Sequence, residues 1–177
     1  MAQYIALFRG INVGGNNMIA MKDLAALLGK LGYANIKTYI QSGNVLFDAP
    51  AAKAEAFAKK IGAAIAKSHS FQPEIIVIDK KELAKMAAAN PFPKAIKEPK
   101  SLHLLVLDAV PKKPDIDGMT ALKTESESFK LIGKALYLHT PDGIHRSKLA
   151  AKLGKLLGVT ATARNWNTVV KLLELAE

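Results

Sequence analysis

Hydrophobic residues recur along this chain in two periods, and the switches between them mark out its elements. An unbroken apolar run, Tyr4-Ile-Ala-Leu-Phe8, predicts a first strand over about residues 3–9. Helical spacing follows. Met21, Leu24, Ala25, Leu28 and Leu31 share one face of a helix that Gly32 brings to a stop. Ile36-Lys-Thr-Tyr-Ile40 and Val45-Leu-Phe47 read as two strands joined through Gln41-Ser-Gly-Asn44. Phe57, Ile61 and Ile65 mark a helix over about 51–68, and Glu74-Ile-Ile-Val-Ile-Asp79 a fourth strand. The order strand, helix, strand, strand, helix, strand is the split βαββαβ, or ferredoxin-like, pattern.

A short helix over about 80–89 and a Pro-rich passage, Asn90-Pro-Phe-Pro93 through Pro99, mark a junction. Beyond it the pattern returns. It predicts a strand Leu102–Leu107, a helix near 115–123, and a hairpin of Phe129–Ile132 with Ala135–Leu138 around Gly133-Lys134. A helix over about 147–157, a short strand Val159–Ala163 and a terminal helix from about Asn167 complete it. The expected fold class is α+β, two ferredoxin-like βαββαβ halves with an additional C-terminal helix. The expected organisation is an N-terminal half over 1–80, a connecting helix and linker over 81–100, and a C-terminal half with the terminal helix over 101–177, packed as one compact unit. The halves share a pattern without residue-level similarity.

Ile5-Ala-Leu-Phe8, Ile75-Ile-Val-Ile78 and Leu104-Leu-Val-Leu107 are apolar at consecutive positions, which predicts strands buried on both faces. An RNA-recognition domain of this topology instead leaves one sheet face open for stacking bases. Its consensus around the third strand is also missing from Asn44-Val-Leu-Phe47.

Composition narrows the classes. Half of the residues are hydrophobic, enough for a real core. No cysteine is present, which excludes disulfides, thiol catalysis and cysteine-ligated zinc. No apolar run approaches a membrane span, and the N-terminus lacks a secretory signal pattern. The expectation is a cytoplasmic protein without a membrane partner. The net charge of +10 favours phosphate-bearing partners, nucleic acid among them. However, Lys53, Lys59, Lys60, Lys67, Lys80, Lys81 and Lys85 are spread along the chain, a poor nucleic-acid footprint.

Topology gathers the unusual residues. The first and third strands of a βαββαβ unit are antiparallel neighbours, so Arg9-Gly-Ile-Asn-Val-Gly-Gly-Asn-Asn17 and Gln41-Ser-Gly-Asn44 are expected at one edge of the first sheet. There Gly10, Gly14 and Gly15 let backbone amides turn toward an anion, and Arg9 suits a bidentate clamp on phosphate or carboxylate. Asn12, Asn16, Asn17, Gln41, Ser42 and Asn44 supply polar groups. The spacing is neither a dinucleotide GxGxxG motif nor a P-loop. The competing reading is a long turn with glycines at positive φ and asparagines bonded to backbone groups.

In the second half, Arg146, Ser147, Lys148, Arg164, Asn165, Trp166 and Asn167 are expected at one edge of the second sheet, as a basic pocket with one stacking platform. Asn165 to Thr168 also suit a helix N-terminus. The competing reading buries Trp166 in the core, the usual fate of a lone tryptophan, with Arg164 holding the helix in place. His103 and His139 fall on neighbouring strands and His145 in the following loop, which admits a metal or acid–base site. No compact histidine motif or paired carboxylate accompanies them. Ser42, Ser147 and Thr168 lack an identifiable base. No catalytic residue, metal ligand or cofactor is assigned.

Several of these segments together resemble a known family. Arg9-Gly-Ile-Asn-Val-Gly-Gly15, Met21 with its helix, Thr38-Tyr-Ile-Gln-Ser-Gly-Asn-Val45, Asn90-Pro-Phe92, Gly143 with Ser147-Lys-Leu149, and Thr162 with Arg164-Asn-Trp-Asn-Thr168 resemble, in order, the bacterial domain of unknown function 1697 family. The resemblance implies an α+β fold of two ferredoxin-like halves and no established activity, substrate or cofactor. The leading expectation is a binding protein for a small anionic or phosphate-containing ligand at the Arg9–Gly15 loop. The alternatives are a nucleic-acid-binding module and an enzyme acting on a phosphorylated or polar metabolite, with His145 or His139 as acid–base. An exposed apolar patch would instead favour a partner-binding role. Oligomeric state stays open.

Overall fold

The computed structural model describes residues 1–176 of the chain. Its first half runs β1 (Ala2–Arg9), α1 (Met21–Lys30), β2 (Ala34–Tyr39), β3 (Asn44–Ala49), α2 (Ala54–Ser68) and β4 (Glu74–Asp79). The strands form an antiparallel sheet in the order β2-β3-β1-β4. Alternation along β1 sends Tyr4, Ala6 and Phe8 to one face. There they join Val45, Phe47 and Val77 from the sheet and Leu24, Leu28, Phe57, Ile61 and Ile65 from the two helices in one core cluster. Tyr33 stacks on Phe47 with centroids 4.7 Å apart, and Tyr4 meets Phe57 at 4.5 Å. Ile5, Leu7, Leu46, Ile76 and Ile78, on the opposite face, are buried as well. The unbroken apolar runs therefore reflect strands covered on both sides.

A connecting helix, α3 (Lys80–Ala88), leaves β4 without a gap, its first turn capped by Asp79 Oδ1, which accepts from the Glu82 amide at 2.7 Å. The Pro-rich passage contains a short 3-10 helix, Pro93–Lys97, with proline at its start. Then come β5 (Leu102–Leu107), α4 (Ile116–Leu122), β6 (Ser128–Ile132), β7 (Ala135–His139), a 3-10 turn Ile144–Arg146, α5 (Lys148–Leu157), β8 (Ala161–Asn165) and α6 (Trp166–Leu175). The second sheet, β6-β7-β5-β8, repeats the strand order of the first. Its core packs Leu105, Leu107, Leu136 and Leu138 with Met119, Leu149, Leu153 and Leu157. The architecture is α+β, two βαββαβ halves and a C-terminal helix. By internal contacts the chain divides into two units, Met1–Lys85 with the segment from Leu172 onward, and Met86–Lys171.

Several boundaries differ from the sequence reading: β2 spans Ala34–Tyr39 rather than Ile36–Ile40, because Ile40 turns at positive φ, and α2 starts at Ala54 rather than near residue 51. Two more differ at the end of the second half. The last strand spans Ala161–Asn165 rather than Val159–Ala163, and α6 starts at Trp166 rather than Asn167. The cause is the turn after α5. Gly158 caps that helix in the left-handed region, and Asp108 then holds Thr160 through paired backbone and side-chain bonds of 3.0 and 3.1 Å. Sheet pairing begins only after this clasp, at Ala161 opposite Leu107.

Candidate functional site

The structure brings the two glycine- and asparagine-rich segments of the first half together. The Asn12 side chain spans them, donating to the carbonyls of Gln41 and Ile19, each at 2.9 Å, and accepting from the Ile19 amide at 2.8 Å. Asn17 donates to the Gly10 carbonyl at 3.1 Å. Residues Val13–Asn16 form a tight hairpin: the Asn16 amide donates to Val13, and both central residues, Gly14 and Gly15, have positive φ. Asn44 is fully buried and donates to the Tyr39 carbonyl at 3.0 Å. Most of the asparagines thus shape the backbone, as in the turn reading. Exposed at this edge are Arg9, Gly10, Gly14, Gly15, Asn16, Asn17, Gln41 and Ser42. The Gly14 and Gly15 amides have no acceptor among the described residues. Arg9 pairs with Glu74, its register partner on β4, at 2.8 Å, with both side chains about half exposed. Val13, Met18 and Ile40 are exposed on the same two loops.

At the second edge, β7 and β8 end on either side of the start of β5, with Leu102 opposite His139 and His103 opposite Asn165. The residues expected there separate by burial. Arg146 and Lys148 are exposed. Ser147 is buried, and its hydroxyl caps α5 by accepting from the Ala150 amide at 3.0 Å. Asn165 accepts from the Thr168 amide at 3.1 Å and caps α6 in the same way. Trp166 is only 5% exposed, so it packs in the core and offers no stacking platform. Arg164 is also buried, donating to Thr162 Oγ1 and the Ala163 carbonyl, both at 2.8 Å, and burial lowers its pKa to about 10. Both lie at the junction where β8 passes directly into α6, and the Trp166 amide is tied to the Pro99 carbonyl at 3.1 Å. Asn167 lines a cavity of about 360 Å³ with Ser101, Thr140 and Gly143.

The histidines do not converge as their strands suggested. Leu102 and His139 are register partners, as are His103 and Leu138, so the two histidines point to opposite faces of the sheet. His139 lies beside Phe92, with ring centroids 6.4 Å apart. His103 is buried, and its Nδ1 has no hydrogen-bond partner among the described residues. Desolvation, and then the charge of His145, lower its pKa to about 4. No group of three or more His, Cys, Asp or Glu side chains suited to a metal occurs among the described residues. No helix among them is long and apolar enough to cross a membrane.

One feature escaped the sequence reading. A groove of about 670 Å³ lies between α1 and α2, lined by alanines and leucines with Lys30, Lys60 and Lys67 around them. The alternation of exposed lysine and alanine on these helices is ordinary for solvated faces, so only the spacing of the two helices reveals it.

Two four-stranded antiparallel sheets of the same strand order define an α+β protein of two ferredoxin-like halves. The chain belongs to the DUF1697 family, a protein family of unknown function whose profile matches residues 1–137. No curated protein matches it significantly. Among solved structures it is similar to the conserved bacterial protein SP0830 from Streptococcus pneumoniae, with a TM-score of 0.75 at 22% identity over 99% of each chain. That likeness concerns the fold alone.

Proposed function

We propose that the protein binds a small anionic ligand, a phosphate or carboxylate compound, at the loop edge of the first sheet, with Arg9 supplying the main charge. The observation that carries this reading is the exposed Arg9–Glu74 pair. A pair of that exposure contributes only about 0–1 kcal/mol, so a ligand anion can replace Glu74 at small cost. The open Gly14 and Gly15 amides on the same loop, and the exposed Gln41 and Ser42 beside it, supply further polar contacts. Asn12 and Asn44 act through the loop's shape, because backbone groups occupy their side chains. Arg146 and Lys148 contribute a separate, exposed attraction for anions.

Calorimetric titration with pyrophosphate, a nucleoside monophosphate and a short single-stranded DNA, at two salt concentrations, tests this. Arg9→Ala is expected to weaken small-ligand binding more than ten-fold. Glu74→Gln is expected to strengthen it several-fold by removing the competing carboxylate. Diffuse lysine attraction would leave both variants equal to wild type, and that outcome overturns the proposal. Tight DNA binding that falls steeply with salt would transfer the reading to nucleic acid. Recovery of a chemically altered ligand would transfer it to an enzyme.

A further inference from the structure

In the first unit a groove lies between α1 and α2. Its volume, about 670 Å³, falls within the roughly 300–1,000 Å³ of small-molecule sites. Three alanines, Ala26, Ala63 and Ala64, line it with Leu27 and Leu31. Short side chains at these positions leave an apolar trough where larger ones would close the gap between the helices.

The charges around the trough are unequally placed. β1 and β2 both run antiparallel to β3, and β3 and β4 both run antiparallel to β1. The connecting helices α1 and α2 are therefore antiparallel to each other, and the first turn of α1 lies beside the last turn of α2. Asp23 sits at that end with Lys67 and His69. Lys30 and Lys60 sit at the opposite end, where no lining residue is acidic. Lys30 and Lys67 fall in last helical turns, where a cation complements the helix dipole whether or not a ligand is present. Lys60 does not. It lies near the middle of α2, and its Nζ is held 3.4 Å from the Leu31 carbonyl and 5.6 Å from the centre of the Tyr33 ring. A long, flexible ammonium side chain is thus positioned at one mouth of an apolar trough with no acidic partner, which is the arrangement for an anionic head group followed by an apolar tail.

We propose that this groove binds a single-chain amphiphilic anion, its head group between Lys30 and Lys60 and its tail along Ala26, Ala63 and Ala64. A hydrophilic anion gains nothing from the apolar floor, and a neutral chain gains nothing from the lysines, so the site selects for both together. It is separate from the loop edge around Arg9.

The test is calorimetric titration of the full chain with decanoate, acetate and the neutral amphiphile octyl glucoside, each below its micelle concentration. Decanoate is expected to saturate at one per chain, with acetate and octyl glucoside at least ten-fold weaker. Lys60→Gln and Lys30→Gln are each expected to weaken decanoate several-fold, with only a small drop in thermal midpoint from the lost Leu31 carbonyl bond and the lost cation in the last turn of α1. Ala63→Trp, filling the trough, is expected to abolish binding. Arg9→Ala is expected to leave decanoate binding intact, so failure here is distinguishable from failure at the loop edge. Binding of many decanoates per chain, equal affinity for octyl glucoside, unchanged affinity in the lysine variants, or no saturable binding would each overturn the proposal.

Discussion

Gly43 shows how one residue holds the loop edge together. Its φ is +89°, and a Cβ there would lie 2.6 Å from both Phe8 Cβ and Ile11 Cδ1. Its carbonyl accepts from the Phe8 amide at 2.9 Å. Glycine is therefore required twice, for a left-handed backbone and for close approach to the core. Gly43→Ala is expected to cost about 3 kcal/mol, combining overpacking with backbone strain, as measured by chemical denaturation. A loss below about 1 kcal/mol would show that Phe8 and Ile11 can move aside. Ile40, at the other end of the same turn, also adopts positive φ, at +49°, a costly choice for a β-branched residue. The sequence marked this segment as a turn through Gln41-Ser-Gly-Asn44. It gave no sign that Asn44 would be buried in the sheet, because that depends on the register of β3 against β1, where Asn44 meets Leu7.

Elements were the most legible level. The apolar spacing that marks α1 and α2 is also the face each buries, with Leu24 and Leu28, and Phe57, Ile61 and Ile65, in the core, while α5, read only as a helix, buries Leu149, Leu153 and Leu157. Boundaries were less legible where a cap or clasp decides them. Ser147 was read as a polar pocket residue, but its hydroxyl starts α5. Ser147→Ala is expected to lower stability by about 1 kcal/mol in thermal or denaturant unfolding, and Ser147→Asp to restore it, since aspartate caps equally well. If both variants match wild type, the cap contributes nothing. The α1/α2 groove also belongs to this scale. Each helix is unremarkable alone, and alanines from both line the trough between them.

The fold class emerged at the scale of the whole molecule, because two successive βαββαβ patterns leave few topologies. Stability against pH is also a property of the whole molecule, and His103 is expected to dominate its acid side. Its folded pKa is lowered to about 4 from 6.5, so the unfolded chain takes up the proton first as pH falls. Stability from keeping this ring neutral is complete above about pH 6.5 and lost progressively toward pH 4. The loss is on the order of 2–3 kcal/mol from this group. Denaturation midpoints between pH 7 and 4 should therefore fall less steeply in His103→Leu than in wild type. Parallel slopes would mean that the buried ring does not control the acid limb. His103, paired in the sequence reading with His139, lies under the influence of His145 instead, because strand alternation separates the first pair and the loop after β7 delivers the third histidine.

Legible along the chain alone were the order and type of the elements, the α+β class, the burial of strands on both faces and the convergence of Arg9–Asn17 with Gln41–Asn44. These follow from local periodicity and from the few ways in which such elements connect. Which polar groups remain available depends instead on how the folded chain pairs them. Folding gave Arg9 to Glu74, Asn12 to the backbone of two loops, Ser147 and Asn165 to helix caps, and Trp166 to the core. It also created the groove between α1 and α2. The physical reason is that hydrogen-bond and ion-pair partners are fixed by strand register and helix spacing, which join residues far apart in the chain, while periodicity is written within a few neighbouring positions.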